Sequence, residues 1–273
     1  MILQRAFLFI TLFECLLVPY KVTSQNSQSL ENKSNNSAFN SNEWLQFRIH
    51  YGIFNASYAS LTLSNDTIKG LPVIHAKGYG RTSGIARFFF RVEDNYESYF
   101  NEEKTQPIRF IRKIDEGGYT KNKVIDFDQK NGIAYINDIK NDKQSKKDIK
   151  LNTQDLISTF YYLRNYFPLG DLITDKNFKV NIFFDDETFE FNLKYLGVEY
   201  VETKFGKIEC LKFVPVVQKG RVFKDKESIT LWISNDLNRV PIRIQADIAI
   251  GSIKCDLDDF KNIKHPFKIK TNW

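Results

Sequence analysis

From Trp44 onward, large apolar side chains fall on every second residue. In WLQFRIHY, Leu45, Phe47, Ile49 and Tyr51 share one face, while Gln46, Arg48 and His50 share the other. This alternation is that of a strand with one face buried and one wet. After a turn at Gly52, ASYASLTLS sets Ala59, Leu61 and Leu63 together, and LPVIHAKGYG reads as a third strand. Gly78 and Gly80 predict a bend or bulge near its end. RTSGIARFFFRVEDNYESYF begins as a loop or short helical turn and becomes a strand. PIRFIRKIDEGG, YTKNKVIDFDQ and GIAYINDI continue a meander, and the lysine-rich stretch Lys140 to Lys150 is expected to be a solvated loop. Further on, FKVNIFFDD and TFEFNLKYLG flank a hairpin turn at Asp185-Asp186-Glu187. VEYVETKFG and GKIECLKFVP turn at Gly206, and ESITLWISN and RVPIRIQAD turn at Asn235 to Asn238. IAIGSIKCDL closes the set. Short turns imply antiparallel neighbours, and about a dozen strands in one domain must curl or split into layers.

One stretch breaks the period. In Asn152 to Pro168, NTQDLISTFYYLRNYFP, the residues Leu156, Phe160, Leu163 and Phe167 recur at helical spacing. Asn152 or Thr153 can cap this helix, Asp155 suits its first turn, and Pro168 and Gly170 stop it. Asp155, Ser158, Tyr162 and Asn165 share a polar flank, with Arg164 near the C-terminal end. The expected fold is therefore mainly β: one large curved antiparallel sheet, an open half-barrel or barrel-like, with one central α-helix over 153–165 packed on its concave face. A helix is only about 10 Å wide, so a single one over a curved sheet tends to leave a groove. A tightly packed core is the competing expectation.

The first residues bear on compartment. Arg5 precedes an apolar run, Ala6 to Val18, and Val22 and Ser24 sit where signal peptidase cuts. This pattern predicts a secretory signal over 1–24, and an uncleaved anchor is the alternative. Residues 25–43, rich in Ser and Asn, read as a disordered tether. A single β-rich domain over 44–257 and a C-terminal tail over 258–273 follow. Export would make the protein periplasmic or outer-membrane-associated. The ending FKIKTNW resembles a barrel insertion signal, but the outward strand faces carry many Lys and Asp, which suits a lipid-facing band poorly.

Composition adds bounds rather than a function. Among 273 residues, 42% are hydrophobic and 15% aromatic, enough for a large core, and the net charge is +6 with both signs interspersed. That mixture and the export signal disfavour nucleic acid. Cys210 and Cys255 are the cysteines left after cleavage; a disulfide and two buried thiols are both open. No spacing suits zinc or a dinucleotide, the carboxylates Asp185-Asp186-Glu187 could meet a hard cation but read as a solvated hairpin, no metal or cofactor is implied, and no serine occupies a nucleophile elbow. The histidines His50, His75 and His265 lie in contexts that do not suggest a base beside a nucleophile. The expectation is a protein that is not an enzyme. Asp155, Ser158, Tyr162 and Arg164 are the candidates for ligand binding or for anchoring the helix. With Arg81, Arg87, Arg91, Glu93, Asp94, Arg112 and Glu116, they read either as an ion-pair network fixing the helix or as a polar rim for a head group.

The order of YGIFNAS, GRTSG, VEDNYESYFNEEKTQPIRFIRKIDEGGY, DLISTFYYLRN, NIFFDDETFEFNLKYLG, FGKIECLKFVP, GRVFKD and LWISNDLNRVPIRI resembles the bacterial envelope family catalogued as domain of unknown function 3108, across about Trp44 to Leu257. That resemblance implies no catalytic residue. The hairpin LWISNDLNRVPIRI, with Trp232, is also similar to periplasmic lipoprotein carriers, which are half-barrels closed by helices over an acyl-chain pocket. It implies lipid or lipoprotein acyl chains as partners and adds Trp232 to the candidates. Other envelope proteins are the alternative partners, met by a scaffold without a pocket.

Overall fold

A computed structural model describes residues 28–29, 37–167, 172, 174–216, 229–248 and 250–270. The stretch expected to be a secretory signal, and most of the stretch expected to be a tether, lie outside the described residues. The chain forms one large sheet of sixteen strands with two helices among the described residues. β1 (Gln28–Ser29) is followed by β2 (Trp44–Tyr51), β3 (Phe54–Ile68) and β4 (Leu71–Thr82), then by the short α1 (Gly84–Phe89). β5 (Val92–Phe100), β6 (Pro107–Glu116), β7 (Tyr119–Asp128), β8 (Ile133–Asp138) and β9 (Lys143–Asp148) continue the meander to α2 (Leu156–Tyr166). β10 (Asn177–Phe184), β11 (Glu187–Thr203), β12 (Gly206–Pro215), β13 (Ile229–Ser234), β14 (Pro241–Asp247), β15 (Ser252–Lys261) and β16 (Ile269–Lys270) complete it.

The spatial order is β1, β10 to β15, then β2 to β9, with β16 beside β12. All of these strand pairings are antiparallel except β1 with β10. The join of β15 to β2 stitches the two halves into one surface. The alternation read from sequence sets the faces: VEDNYESYF in β5 buries Val92, Asp94, Tyr96, Ser98 and Phe100 and turns the intervening residues outward. The Asp185-Asp186 turn has positive φ at both residues, the geometry of a tight two-residue hairpin.

Among the described residues the sheet does not close through a strand ladder. Its two ends are instead linked by side chains and one short segment. Arg112 and Lys121, on β6 and β7, reach Asp185 at 2.6 and 2.5 Å, and Lys123 reaches Asp186 at 2.7 Å. Gln154 exchanges backbone bonds with Asn181 and Phe183 of β10, and the Gln129 amide donates to the Thr153 carbonyl.

Several expectations need correction. The proposed bulge at Gly78 is absent: β4 keeps unbroken register with β3 and β5. Glycine lets the helix come close there: an added Cβ would stand 3.0 Å from Ile157 Cδ1 of α2. The two strands expected around Gly197 are one long β11, with a bulge between Tyr195 and Gly197. The lysine stretch contains β9, an edge strand exposed throughout, whose lysines discourage pairing with another chain. Residues 37–43, expected to belong to a disordered tether, are instead packed on the domain: Ala38, Phe39 and Glu43 are buried. Residues 258–270 are likewise no free tail: β15 runs on to Lys261, and Phe260, Ile263, Phe267 and Ile269 pack on the core.

Candidate functional site

The helix α2 starts two to three residues later than the sequence predicts. Its cap is Asp155, not Asn152 or Thr153. The Asp155 carboxylate accepts from the backbone N–H groups of Ile157 and Ser158 at 2.8 and 2.7 Å, and Ser158 Oγ accepts the Asp155 N–H at 2.9 Å. This reciprocal pair satisfies donors that a helix start otherwise leaves free. The second carboxylate oxygen accepts from Ser98 Oγ of β5 at 2.6 Å, which ties the helix start to the sheet. Burial pushes the Asp155 carboxyl up to about 7, against the pull of these hydrogen bonds.

Nine of the eleven helical residues are buried. The expected polar flank is buried as fully as the apolar face, while Phe160, assigned to that face, is only partly covered. The polar residues are inside because each has a partner waiting. Asn165 donates to Thr105 Oγ1 and accepts the Ala38 N–H. Tyr162 stacks on Tyr166 with centroids 4.3 Å apart.

Arg164 is the hub. Its Nη1 and Nη2 donate to the two carboxylate oxygens of Glu43 at 2.5 and 2.8 Å. Nε donates to the Asn238 carbonyl at 2.9 Å, and Nη2 also reaches the Ala38 carbonyl at 3.1 Å. Phe39, Phe160 and Tyr161 surround the guanidinium. Burial acts to lower its pKa, but the charge and hydrogen bonds of Glu43 outweigh that and raise it. Arg239 is also buried; one of its N–H groups donates to the Arg164 carbonyl, while Nε and Nη2 have no partner among the described residues. Burial and the neighbouring Arg164 lower the Arg239 pKa to about 10.

Asp155 and Ser158 therefore meet at the helix N-terminus, but Arg164 lies about 13 Å along the axis, from a rise of about 1.5 Å per residue. These three do not converge on one substrate. Trp232 is elsewhere again. Its neighbours Leu231 and Ile233 line the space under α2, so Trp232 points to the opposite face of β13, beneath Lys212 Nζ at 5.4 Å. Cys210 and Cys255 are free buried thiols. β13 and β14 separate their strands, which puts them about 14 Å apart along the sheet at about 4.8 Å per strand, beyond disulfide reach. Glu43, Ala38, Asn238 and Arg239 were not singled out by sequence; only the turn at 235–238 was a signal.

Under α2 lies a cavity of about 60 Å³, lined by Phe47, Leu61, Leu156, Ile157, Phe160 and Arg239 among others. A second, open groove of about 380 Å³ at the surface is edged by Asp66, Glu102 and Glu103. No group of three or more His, Cys, Asp or Glu suited to a metal occurs among the described residues. No described helix is long and apolar enough to cross a membrane.

No curated protein matches the chain. Solved structures do. A beta-barrel-like protein of domain of unknown function DUF1849 from Brucella abortus aligns with TM-score 0.52 and 10% identity, over 82% of this chain and 98% of that one. That likeness is one of fold. A DUF1089 family protein from Pseudomonas aeruginosa aligns at TM-score 0.39 with 12% identity, over 71% and 92% of the two chains. A hypothetical protein from Chlamydia trachomatis aligns at 0.35 with 6% identity, over 86% and 94%. The sequence itself is matched from residue 46 to 258 by the family described as "Protein of unknown function (DUF3108)", and the chain belongs to that family.

Proposed function

We propose that this is an exported, non-enzymatic envelope protein that works through its exterior, as an interaction or scaffold protein. In this reading α2 occupies the concave face of the sheet as an internal strut, not as a lid over a guest. The observation that carries it is the residual space: about 60 Å³ beneath the helix, against roughly 300–1,000 Å³ for small-molecule sites. Rings such as Phe47, Phe100, Phe110, Phe183 and Phe213 already fill the interior. The scattered polar groups support the absence of catalysis. His50 and His75 are tied to Asp256 and Glu97, and His265 to the Ser37 carbonyl, at separate places.

One observation favours the alternative, a carrier of acyl chains. Arg239 presents unpartnered N–H groups beside an apolar cavity, the arrangement that would greet an amphiphile's anionic head. Such a guest would require the cavity to grow several-fold, displacing a helix held at both ends. Native mass spectrometry and solvent extraction of protein purified from the envelope decide between the two. The scaffold reading expects no stoichiometric lipid; one lipid per chain would overturn it in favour of the carrier.

A further inference from the structure

Strand direction sorts the turns into two ends. The registers of β14–β15, β15–β2, β2–β3, β3–β4 and β4–β5 put Ile250, the Tyr51 to Phe54 turn and α1 side by side at one end. That end carries the most exposed large apolar side chains described: Ile53 and Phe88 at 90%, Phe89 at 79%, Ile250 at 78% and Phe54 at 71%. The patch is built, not incidental. Tyr51 Oη donates to the Ile250 carbonyl at 2.8 Å, the Ser83 N–H donates to the Ala56 carbonyl at 3.1 Å, and Phe88 meets Phe89 edge to face. These contacts hold the three turns together while leaving the apolar tips uncovered. Contiguous exposed apolar surface of this kind marks an interaction site.

We propose that this rim docks on an anionic lipid bilayer surface, the five tips entering the interfacial layer. Three features favour lipid over a protein partner. The tips come from three separate segments, the Tyr51 to Phe54 turn, α1 and the Ile250 turn, rather than from one helix or strand face. No charged residue interrupts Tyr51 to Asn55. Beside Phe88 and Phe89 stand Arg81, Arg87 and Arg91, three cations to the two carboxylates of Glu93 and Asp115: Arg91 lies 3.0 Å and Arg87 4.0 Å from Glu93, Arg81 is opposite Glu93 in register, and Asp115 pairs with Glu93 from β6 and acts on Arg91. The excess positive charge behind an apolar tip complements phospholipid head groups. The inference rests on the reading that the protein acts through its exterior, and names the partner surface.

Flotation with vesicles of phosphatidylethanolamine and phosphatidylglycerol tests it, on the full chain, with two paired variants: Ile53→Ser with Phe54→Ser, and Phe88→Ser with Phe89→Ser. All four side chains are exposed, so unchanged thermal midpoints are expected. Each pair should lower vesicle binding about tenfold or more, the loss expected when large side chains leave an apolar phase. Arg87→Gln with Arg91→Gln should weaken binding to these vesicles but not to neutral ones. Failure of the wild type to float, or undiminished binding by both paired variants, overturns the proposal. So does self-association or capture of a protein through the rim without vesicle binding. Lipid extracted from the interior would sink the scaffold reading instead, and flotation failure would leave that reading standing.

Discussion

Glu43 and Arg164 meet as a two-pronged ion pair, at 2.5 and 2.8 Å, with side chains 0% and 2% exposed. They are far apart in sequence, and their union fixes the C-terminal half of α2 against the segment that leads into β2. A buried pair adds little compared with an apolar replacement, but removing one partner strands the other charge. Arg164→Ala is expected to cost about 3–5 kcal/mol in denaturant unfolding. Glu43→Leu combined with Arg164→Met should recover a large part of that loss. Unchanged stability in Arg164→Ala would refute the anchoring role.

Asp155 should make stability fall with rising pH. Its folded carboxyl titrates near 7, above the unfolded value of 3.8. Between those values the folded state holds a proton that the unfolded state has released. The contribution is thus fully present below the unfolded value and is lost as pH rises toward and through 7. The expected slope is up to about 1.4 kcal/mol per pH unit. The carboxylates of Glu97, Asp185 and Asp256, which are lowered, act at more acid pH and in the opposite sense. Comparing wild type with Asp155→Asn between pH 5 and 8 isolates the effect: the variant's curve should be flatter.

Gly78 lets α2 approach β4. A methyl there would sit 3.0 Å from Ile157 Cδ1 and 3.4 Å from Leu61 Cδ2. Gly78→Ala is expected to destabilise by about 1 kcal/mol and Gly78→Val by about 2–3 kcal/mol, the range for overpacking. Thermal unfolding checks this. A gain in stability from Gly78→Val would mean that the neighbouring cavity had absorbed the added carbons.

Both described thiols should be inert in the folded protein. Burial pushes Cys210 up to about 12 and Cys255 well above its ordinary value. Alkylation should reach them only in denaturant, and peptide mapping without reductant should find no Cys210–Cys255 link. A bridged peptide would contradict the strand order that separates them.

The sheet was legible because its half-buried strands alternate cleanly, as in WLQFRIHY and VEDNYESYF. β9 was not, because an edge strand wet on both faces has no apolar period to read. The helix was visible from its spacing, but its environment was not. The sequence marks Asp155, Ser158 and Asn165 as polar, and polarity suggests exposure unless the partners are known. Those partners, Ser98, Thr105, Ala38 and Glu43, come from distant segments and share no local signature. Composition also misassigned residues 37–43. A single Phe39 among serines and asparagines looks like linker, yet it packs edge to face on Phe100 and Tyr161.

The clasp around Arg164 bears on where the folding unit begins and ends. His265 and Asn238 exchange backbone and side-chain bonds, His265 also binds the Ser37 carbonyl, and Ala38 and Glu43 complete the guanidinium's shell. A fragment trimmed to 46–258, the span the family match covers, would excise Ala38, Phe39, Glu43 and His265 together. It would strip Arg164 of its carboxylate and of the Ala38 carbonyl, leaving the Asn238 carbonyl as its remaining named acceptor. The matched span is thus shorter than the packed unit, which also takes in Ala38, Phe39, Glu43 and His265.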